Sequence, residues 1–166
     1  MEIEKKFLVD PERIPENLSN YPSRALEQGY ISNSPTIRIR RDEENYILTC
    51  KGNGLLEREE FELPLTKESF DHLREKVDGN WIKKRRYFLP VHPDGRVEDN
   101  PSAKAELTIE LDIFDEPFAP LVYAEVEFPS VEDAQSFTPP DWFGKDVTLL
   151  PEYQNGALSR KKTIPR

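Results

Sequence analysis

Acidic and basic side chains recur at two-residue spacing along this chain, and the spacing decides what chemistry they can share. Glu2, Glu4 and Lys6 alternate with Ile3 and Phe7, Arg58, Glu60 and Glu62 oppose Phe61 and Leu63, and Glu125 and Glu127 oppose Val126 and Phe128. Glu106, Thr108, Glu110 and Asp112 alternate with Leu107, Ile109, Leu111 and Ile113. Residues two apart in a strand share a face, so each segment pairs a charged face with an apolar one. These carboxylates have no His or Cys within their pattern, which points to a hard divalent cation, with Mg2+ or Mn2+ the natural candidates for an all-oxygen site. Arg38, Arg40, Lys51, Lys84 and Arg86 follow the same alternation. They could surround several phosphate groups, arginine as a two-pronged donor and lysine as a mobile point charge. The two histidines are placed elsewhere, His72 on a predicted helix and His92 at a turn, and neither is assigned as a ligand.

Such faces need strands to carry them. Alternation predicts strands over residues 2–9, 25–32, 36–41, 45–51, 56–65, 81–89, 104–114 and 122–128. Asp42 to Asn45 is short enough for a hairpin link, and His92-Pro93-Asp94-Gly95 reads as a turn. Asp10-Pro11 offers an N-cap and a helix-starting proline, kept short by Pro15. Thr66 caps a helix carrying Phe70, Leu73 and Val77, with Asp78-Gly79 as its stop. Ser130 with Asp133 starts another short helix, and residues 152–162 form a last one.

Two arrangements satisfy this alternation. One is an antiparallel sheet with a solvated charged face. The other closes the sheet with its charges inward, around water, ions and a charged ligand, because unpaired interior charges cost several kcal/mol each. Exposed ion pairs contribute only about 0–1 kcal/mol, so an open surface has no need to gather basic pairs on some strands and carboxylates on others. The clustering favours closure.

Composition narrows the partners. Thirty-two acidic residues against 23 Lys and Arg leave a formal charge of −9, a field that repels nucleic acid and anionic membranes unless positive charge is focused locally. No dedicated nucleic-acid module is expected. Cys50 is the one cysteine, which excludes an intrachain disulfide and a thiolate-rich zinc site. Nine Phe and six Tyr supply an ample core, and 166 residues suit one domain spanning 1–166. Neither a signal peptide nor an apolar run of membrane-spanning length is expected, and a cytoplasmic location follows.

The ordered motifs carry a resemblance. Glu2-Ile3-Glu4-Lys5-Lys6 matches an ExExK pattern, and it is followed by Gln28-Gly29-Tyr30, Ile37-Arg38-Ile39-Arg40, Leu48-Thr49-Cys50-Lys51-Gly52 and Arg58-Glu59-Glu60-Phe61-Glu62. Then come Lys84-Arg85-Arg86-Tyr87, Glu110-Leu111-Asp112 and Ala124-Glu125-Val126-Glu127-Phe128, with Tyr153 and Asn155 near the end. In this order they resemble the triphosphate tunnel metalloenzymes, or CYTH domain superfamily, over nearly the whole chain.

The resemblance implies a mainly β fold with short helices (α+β), built as an eight-stranded antiparallel barrel-like tunnel. It implies Lys6, Arg38, Arg40, Lys51, Lys84 and Arg86 on phosphate, with Arg58 open between phosphate and neighbouring carboxylates. It implies Glu2, Glu4, Glu60, Glu62, Glu110, Asp112, Glu125 and Glu127 as the metal side, without dividing direct ligands from groups behind them. Lys6, Glu4 and Glu127 are assigned to catalysis, with water activated by the metal. Tyr30 and Tyr87 are divided between aromatic packing and orienting charged groups through their hydroxyls. Arg74 is read as solvated and Lys161 as part of the tail. The expected substrate is a small triphosphate compound and the expected reaction is metal-dependent hydrolysis of inorganic triphosphate or a relative. The alternatives are a class IV adenylate cyclase and a non-catalytic polyphosphate-binding module.

Overall fold

A computed structural model describes residues 1–160. Among the described residues, nine strands form one antiparallel sheet. They are β1 (Glu2–Leu8), β2 (Ser23–Asn33), β3 (Thr36–Asp42), β4 (Asn45–Lys51), β5 (Glu57–Arg58), β6 (Glu60–Leu65), β7 (Asp78–Val91), β8 (Leu107–Phe114) and β9 (Val122–Glu127). The spatial order is β5-β1-β9-β8-β7-β2-β3-β4-β6.

The count corrects the expectation of eight, and the reason is local. The predicted strand over 56–65 serves two partners. Arg58 pairs with Glu2 of β1, whereas Glu60 onward pairs with β4. Glu59 lies between them, its carbonyl accepting from the Gly52 amide at 2.9 Å. The two ends of the sheet order are therefore joined by a single residue, which makes the sheet a nearly closed, barrel-like tunnel.

The alternation places the apolar outer faces where they can be covered. Ile3, Phe7, Leu89, Ile109, Leu111, Ala124 and Val126 from β1, β7, β8 and β9 are buried against Leu18, Ala134, Phe137 and Phe143 of the covering segments. Burying one such aliphatic or aromatic side chain stabilises by about 1.5–3 kcal/mol, so this outer layer is a principal source of stability. A second cluster of Tyr30, Ile82, Phe114, Phe118, Leu121, Tyr123 and Leu158 fills one end of the barrel.

Three short helices complete the cover. Helix α1 (Lys67–Arg74) begins at Thr66, whose hydroxyl accepts from the Ser69 amide while the Ser69 hydroxyl accepts from the Thr66 amide. Its buried Phe70 packs on Tyr46 and Trp81, with ring centroids 4.9 and 6.0 Å apart. The helix stops at Arg74, and Asp78-Gly79 opens β7 rather than ending α1. Trp81 also explains Gly29 of β2: a Cβ there would lie 2.5 Å from the indole ring. Helix α2 (Val131–Ser136) is capped by Ser130, as expected. Helix α3 (Asn155–Arg160) sends the fully buried Leu158 into the barrel-end cluster, while Lys161 and Lys162 lie outside the described residues.

Strand β8 starts at Leu107, not at residue 104. Glu106 sits just before it and accepts no place in the wall; its carboxylate meets His92 Nδ1 at 2.6 Å, and Glu98 meets His92 Nε2 at 2.6 Å. Among the described residues no helix is long and apolar enough to cross a membrane.

Candidate functional site

The inward faces enclose a cavity of about 450 Å³. Strand β1 contributes Glu2, Glu4 and Lys6, β3 contributes Arg38 and Arg40, and β4 contributes Lys51. Arg58 comes from β5, Glu60 and Glu62 from β6, Arg86 from β7, Glu110 from β8, and Glu125 and Glu127 from β9. Two expected site residues are not on this lining. Lys84 and Asp112 form a buried pair behind it, with Nζ 2.6 Å from Oδ2 and neither side chain exposed. Arg86 joins the pair through Nε at 2.7 Å and Nη2 at 2.9 Å, and its Nη1 reaches Glu110 at 2.8 Å.

Asp112 is thus shared by two cations, and Arg86 bridges it to Glu110. Against the effect of burial, Arg86 and Lys84 hold Asp112 below its ordinary range. Burial, with Arg86 and Arg40 nearby, pushes Lys84 down to about 7 although Asp112 opposes it.

The β1 side carries most of the acid. Glu2 Oε1 accepts from Lys51 at 2.9 Å and from Arg58 Nε at 3.4 Å, and Arg58 Nη2 reaches Glu4 Oε1 at 3.1 Å. Burial opposes ionisation of Glu2, yet its hydrogen bond with Glu60 and the charge of Lys51 hold it at about 2. Glu60 moves the other way, raised to about 7 by burial and by that same hydrogen bond.

Glu4 is directly opposite Glu127 in the β1–β9 register, a like-charged cross-strand pair that disfavours full ionisation. Burial and the charge of Glu125 push Glu4 up to about 7. Burial and Glu2 raise Glu127 as well. Glu125 stays well below the ordinary carboxylate range despite its burial, because Lys6, Arg86 and Lys84 act on it together. Its Oε1 is 3.6 Å from Lys6 Nζ but is buried without a hydrogen-bond partner among the described residues. Lys6 Nζ also donates to the Tyr153 carbonyl at 3.2 Å and lies 5.0 Å from the centroid of the Tyr123 ring.

The β3 side differs. Arg38 Nη2 donates to Thr49 Oγ1 at 3.2 Å, and Arg40 donates through Nε and Nη2 to Gln28 Oε1 at 2.9 and 2.6 Å. Both partners are neutral. Burial and the charges of Arg38 and Arg86 lower Arg40 to about 9. Gln28 and Thr49 were given no role by the sequence, although the parity of Thr49 with Lys51 already marked it as inward.

Further lining comes from Asn33 and Thr36, the loop over residues 52–55, and Gln154, Gly156, Ala157 and Arg160 around α3. These had no periodic signal. Tyr30 is buried in the cavity wall, Tyr87 packs on the outer core, and Arg74 is exposed, with its guanidinium stacked over Trp81 at 4.5 Å.

The donor set suits a hard cation in chemical type: oxygen ligands, mutually repelling carboxylates and, in Glu125 Oε1, a buried carboxylate oxygen that accepts no hydrogen bond among the described residues. Among the described residues, however, no group of three or more His, Cys, Asp or Glu side chains is already gathered around a metal position.

No family model matches the chain. It is 36% identical to an inorganic triphosphatase of Nitrosomonas europaea, over 95% of this chain and 96% of the relative. It is 32% identical to an inorganic triphosphatase of Acetivibrio thermocellus, over 95% and 92%. The crystal structure of the inorganic triphosphatase NE1496 superimposes with a TM-score of 0.65 at 32% identity, covering all of this chain and 97% of that one.

Proposed function

Because this chain belongs to the triphosphate tunnel metalloenzymes, the CYTH family, we propose that it hydrolyses inorganic triphosphate to pyrophosphate and orthophosphate with Mg2+ or Mn2+. One observation carries the reading beyond kinship. A single cavity holds two arginines whose acceptors among the described residues are neutral, together with Glu4, Glu60 and Glu127, whose carboxyls are held above their ordinary range. Neither half suits an empty cavity, and a triphosphate with its cation satisfies both.

In this reading Arg38 and Arg40 donate to phosphate oxygens, and Lys51, Arg58 and Arg86 line the remaining basic surface. Lys84 acts through Asp112 and Arg86 rather than by touching substrate. Glu4, Glu125 and Glu127 are the best placed to hold the cation, with Glu2, Glu60, Glu62 and Glu110 around them. When bound there, the cation neutralises phosphate charge and lowers the pKa of the attacking water. Lys6, fixed by Tyr153 and Glu125, orients the oxygen it meets.

The lining supports an inorganic substrate over a nucleotide. Purine sites present apolar or aromatic faces to the base. Tyr30 is the one aromatic residue among the described lining residues and is buried in the wall, and the apolar side chains there are Leu55 of the loop with Pro151 and Ala157 near α3.

The test is a panel of inorganic triphosphate, ATP and thiamine triphosphate with Mg2+, with Mn2+ and after chelation, with products separated by ion chromatography. We expect fastest turnover of inorganic triphosphate, abolished by chelation and restored by added metal. Undiminished turnover after exhaustive chelation would refute the metal role, and cyclic AMP as the dominant product would replace hydrolysis by cyclisation.

A further inference from the structure

We infer that Gln28 is a positioning residue that aims Arg40 at the substrate without neutralising it, and that Thr49 does the same for Arg38. The inference rests on the triphosphatase reading and adds residues to it. Its first support is a contrast among the cations of the barrel interior. Lys6, Lys51, Arg58, Lys84 and Arg86 each have a carboxylate within 4 Å. Among the described residues, Arg38 and Arg40 have none; their acceptors are a hydroxyl and an amide oxygen. A guanidinium already forked onto a carboxylate must surrender that partner, or bring an anion against it, before binding phosphate. One held by a neutral oxygen keeps its orientation and its whole charge.

The second support is independent of the first. Arginine only donates, so the Gln28 atom receiving both Arg40 bonds must be the oxygen, which leaves Nε2 on the other side. That Nε2 is buried without a hydrogen-bond partner among the described residues, on a side chain with no exposure. Glutamate has the same shape and would give Arg40 an ion pair, with an acceptor oxygen in place of the unpartnered Nε2. For the fold alone, glutamate at position 28 would supply a counter-ion to an arginine that burial and the charges of Arg38 and Arg86 disfavour. The glutamine makes sense where the positive charge of Arg40 is needed for something else. Gln28 is absent from the cavity lining while Arg40 is on it, so Gln28 acts through the arginine.

The experiment is Gln28→Glu, alone and in an Arg40→Gln background. Thermal melts are run first. Binding of the non-hydrolysable imido analogue of triphosphate is then measured by calorimetry with Mg2+, beside KM and kcat for inorganic triphosphate. We expect Gln28→Glu to melt at or above the parent temperature while its Kd and KM rise roughly tenfold to hundredfold, the range of one charge-assisted phosphate contact. In the Arg40→Gln background the same substitution should add at most a threefold further loss, since its target is gone. Should Gln28→Glu not fold, Thr49→Ser and Thr49→Val replace it: the serine retains the parent Kd and the valine loses it. A parent protein that does not bind the analogue sinks the triphosphatase reading itself. A parent that binds, with Gln28→Glu binding equally well or losing the same factor regardless of Arg40, overturns the positioning role alone, as does a Thr49→Val protein that binds like Thr49→Ser.

Discussion

Replacing Glu4 with glutamine keeps its shape and removes its charge, and we expect the metal-free protein to become more stable at alkaline pH as it loses turnover. Burial and the neighbouring charge of Glu125 raise the Glu4 carboxyl from 4.5 to about 7, even with Arg58 Nη2 at 3.1 Å. At about 1.36 kcal/mol for each pH unit, that rise sets an upper bound of roughly 3 kcal/mol on the penalty of ionising Glu4 in the fold. The side chain is 15% exposed, so solvent screening removes only part of it, and a gain of about 1–3 kcal/mol is expected.

The sign follows from proton linkage. The folded protein holds this proton more tightly than the unfolded chain, so stability falls as pH rises between 4.5 and about 7. Below 4.5 the parent and the Glu4→Gln protein should be alike; above 7 the full difference applies. For a chain of this length that corresponds to a melting temperature higher by about 2–12 °C at pH 8. Urea unfolding in chelator at pH 4 and pH 8 measures it, and Mg2+ should then stabilise the parent more than the variant. A Glu4→Gln protein less stable than the parent at pH 8, or one whose advantage is the same at pH 4, refutes the electrostatic argument.

Other substitutions test other parts of the barrel. Asp112→Asn should destabilise by about 3–5 kcal/mol in the same unfolding assay, because Lys84 and Arg86 lose the buried carboxylate they share. The exposed Lys67–Asp71 pair is its control, with Asp71→Asn leaving the unfolding midpoint essentially unchanged. The Arg38→Lys, Arg40→Lys double variant keeps both charges but loses the fork geometry; triphosphate KM should rise roughly tenfold or more, and an unchanged KM and turnover would count against phosphate binding by these residues. Gly29→Ala should lower stability by about 1–3 kcal/mol, read from its melting temperature, since the added Cβ meets the Trp81 ring.

Much of this wall was legible because strand parity is a strict geometric consequence of the backbone. Glu110 and Leu111 had to face opposite sides, as did Arg86 and Tyr87. Parity gives the face of a side chain and not its depth along the barrel. Lys84 therefore looked equivalent to Arg86, although Lys84 lies deeper, its Nζ 5.3 Å from the centroid of the Phe114 ring where the barrel is filled. Parity also runs unbroken through Arg58, Glu60 and Glu62, so nothing in the pattern marked the change of partner at Glu59. Glu106 kept the parity of Glu110 yet lay outside the strand, tied to His92. Residues around α3 reach the cavity through tertiary packing alone, which no local spacing encodes.

The same geometry explains how a barrel can keep so much charge inside. Two groups of the cavity are strained in opposite senses: burial and its cationic neighbours drive Arg40 down to about 9, and burial and its anionic neighbours drive Glu4 up to about 7. Swapping partners between them would relieve both, but Arg40 is held on β3 by Gln28 and Glu4 on β1 opposite Glu127, in strands that do not pair. The backbone register therefore prevents the charges from cancelling. A ligand that is anionic toward β3 and cationic toward β1 and β9 relieves both strains at once, and a phosphate chain carrying a divalent cation has that polarity. A bare polyphosphate would satisfy only the arginines, and a bare cation only the carboxylates. Each should consequently strengthen binding of the other, by the same factor in either order. Calorimetric titration of Mg2+ with and without the imido analogue, and of the analogue with and without Mg2+, measures that factor. Unequal factors corrected for Mg2+–analogue association in solution would mean the titrations are not at equilibrium, and a factor of one would mean that the two groups of charge do not share a ligand.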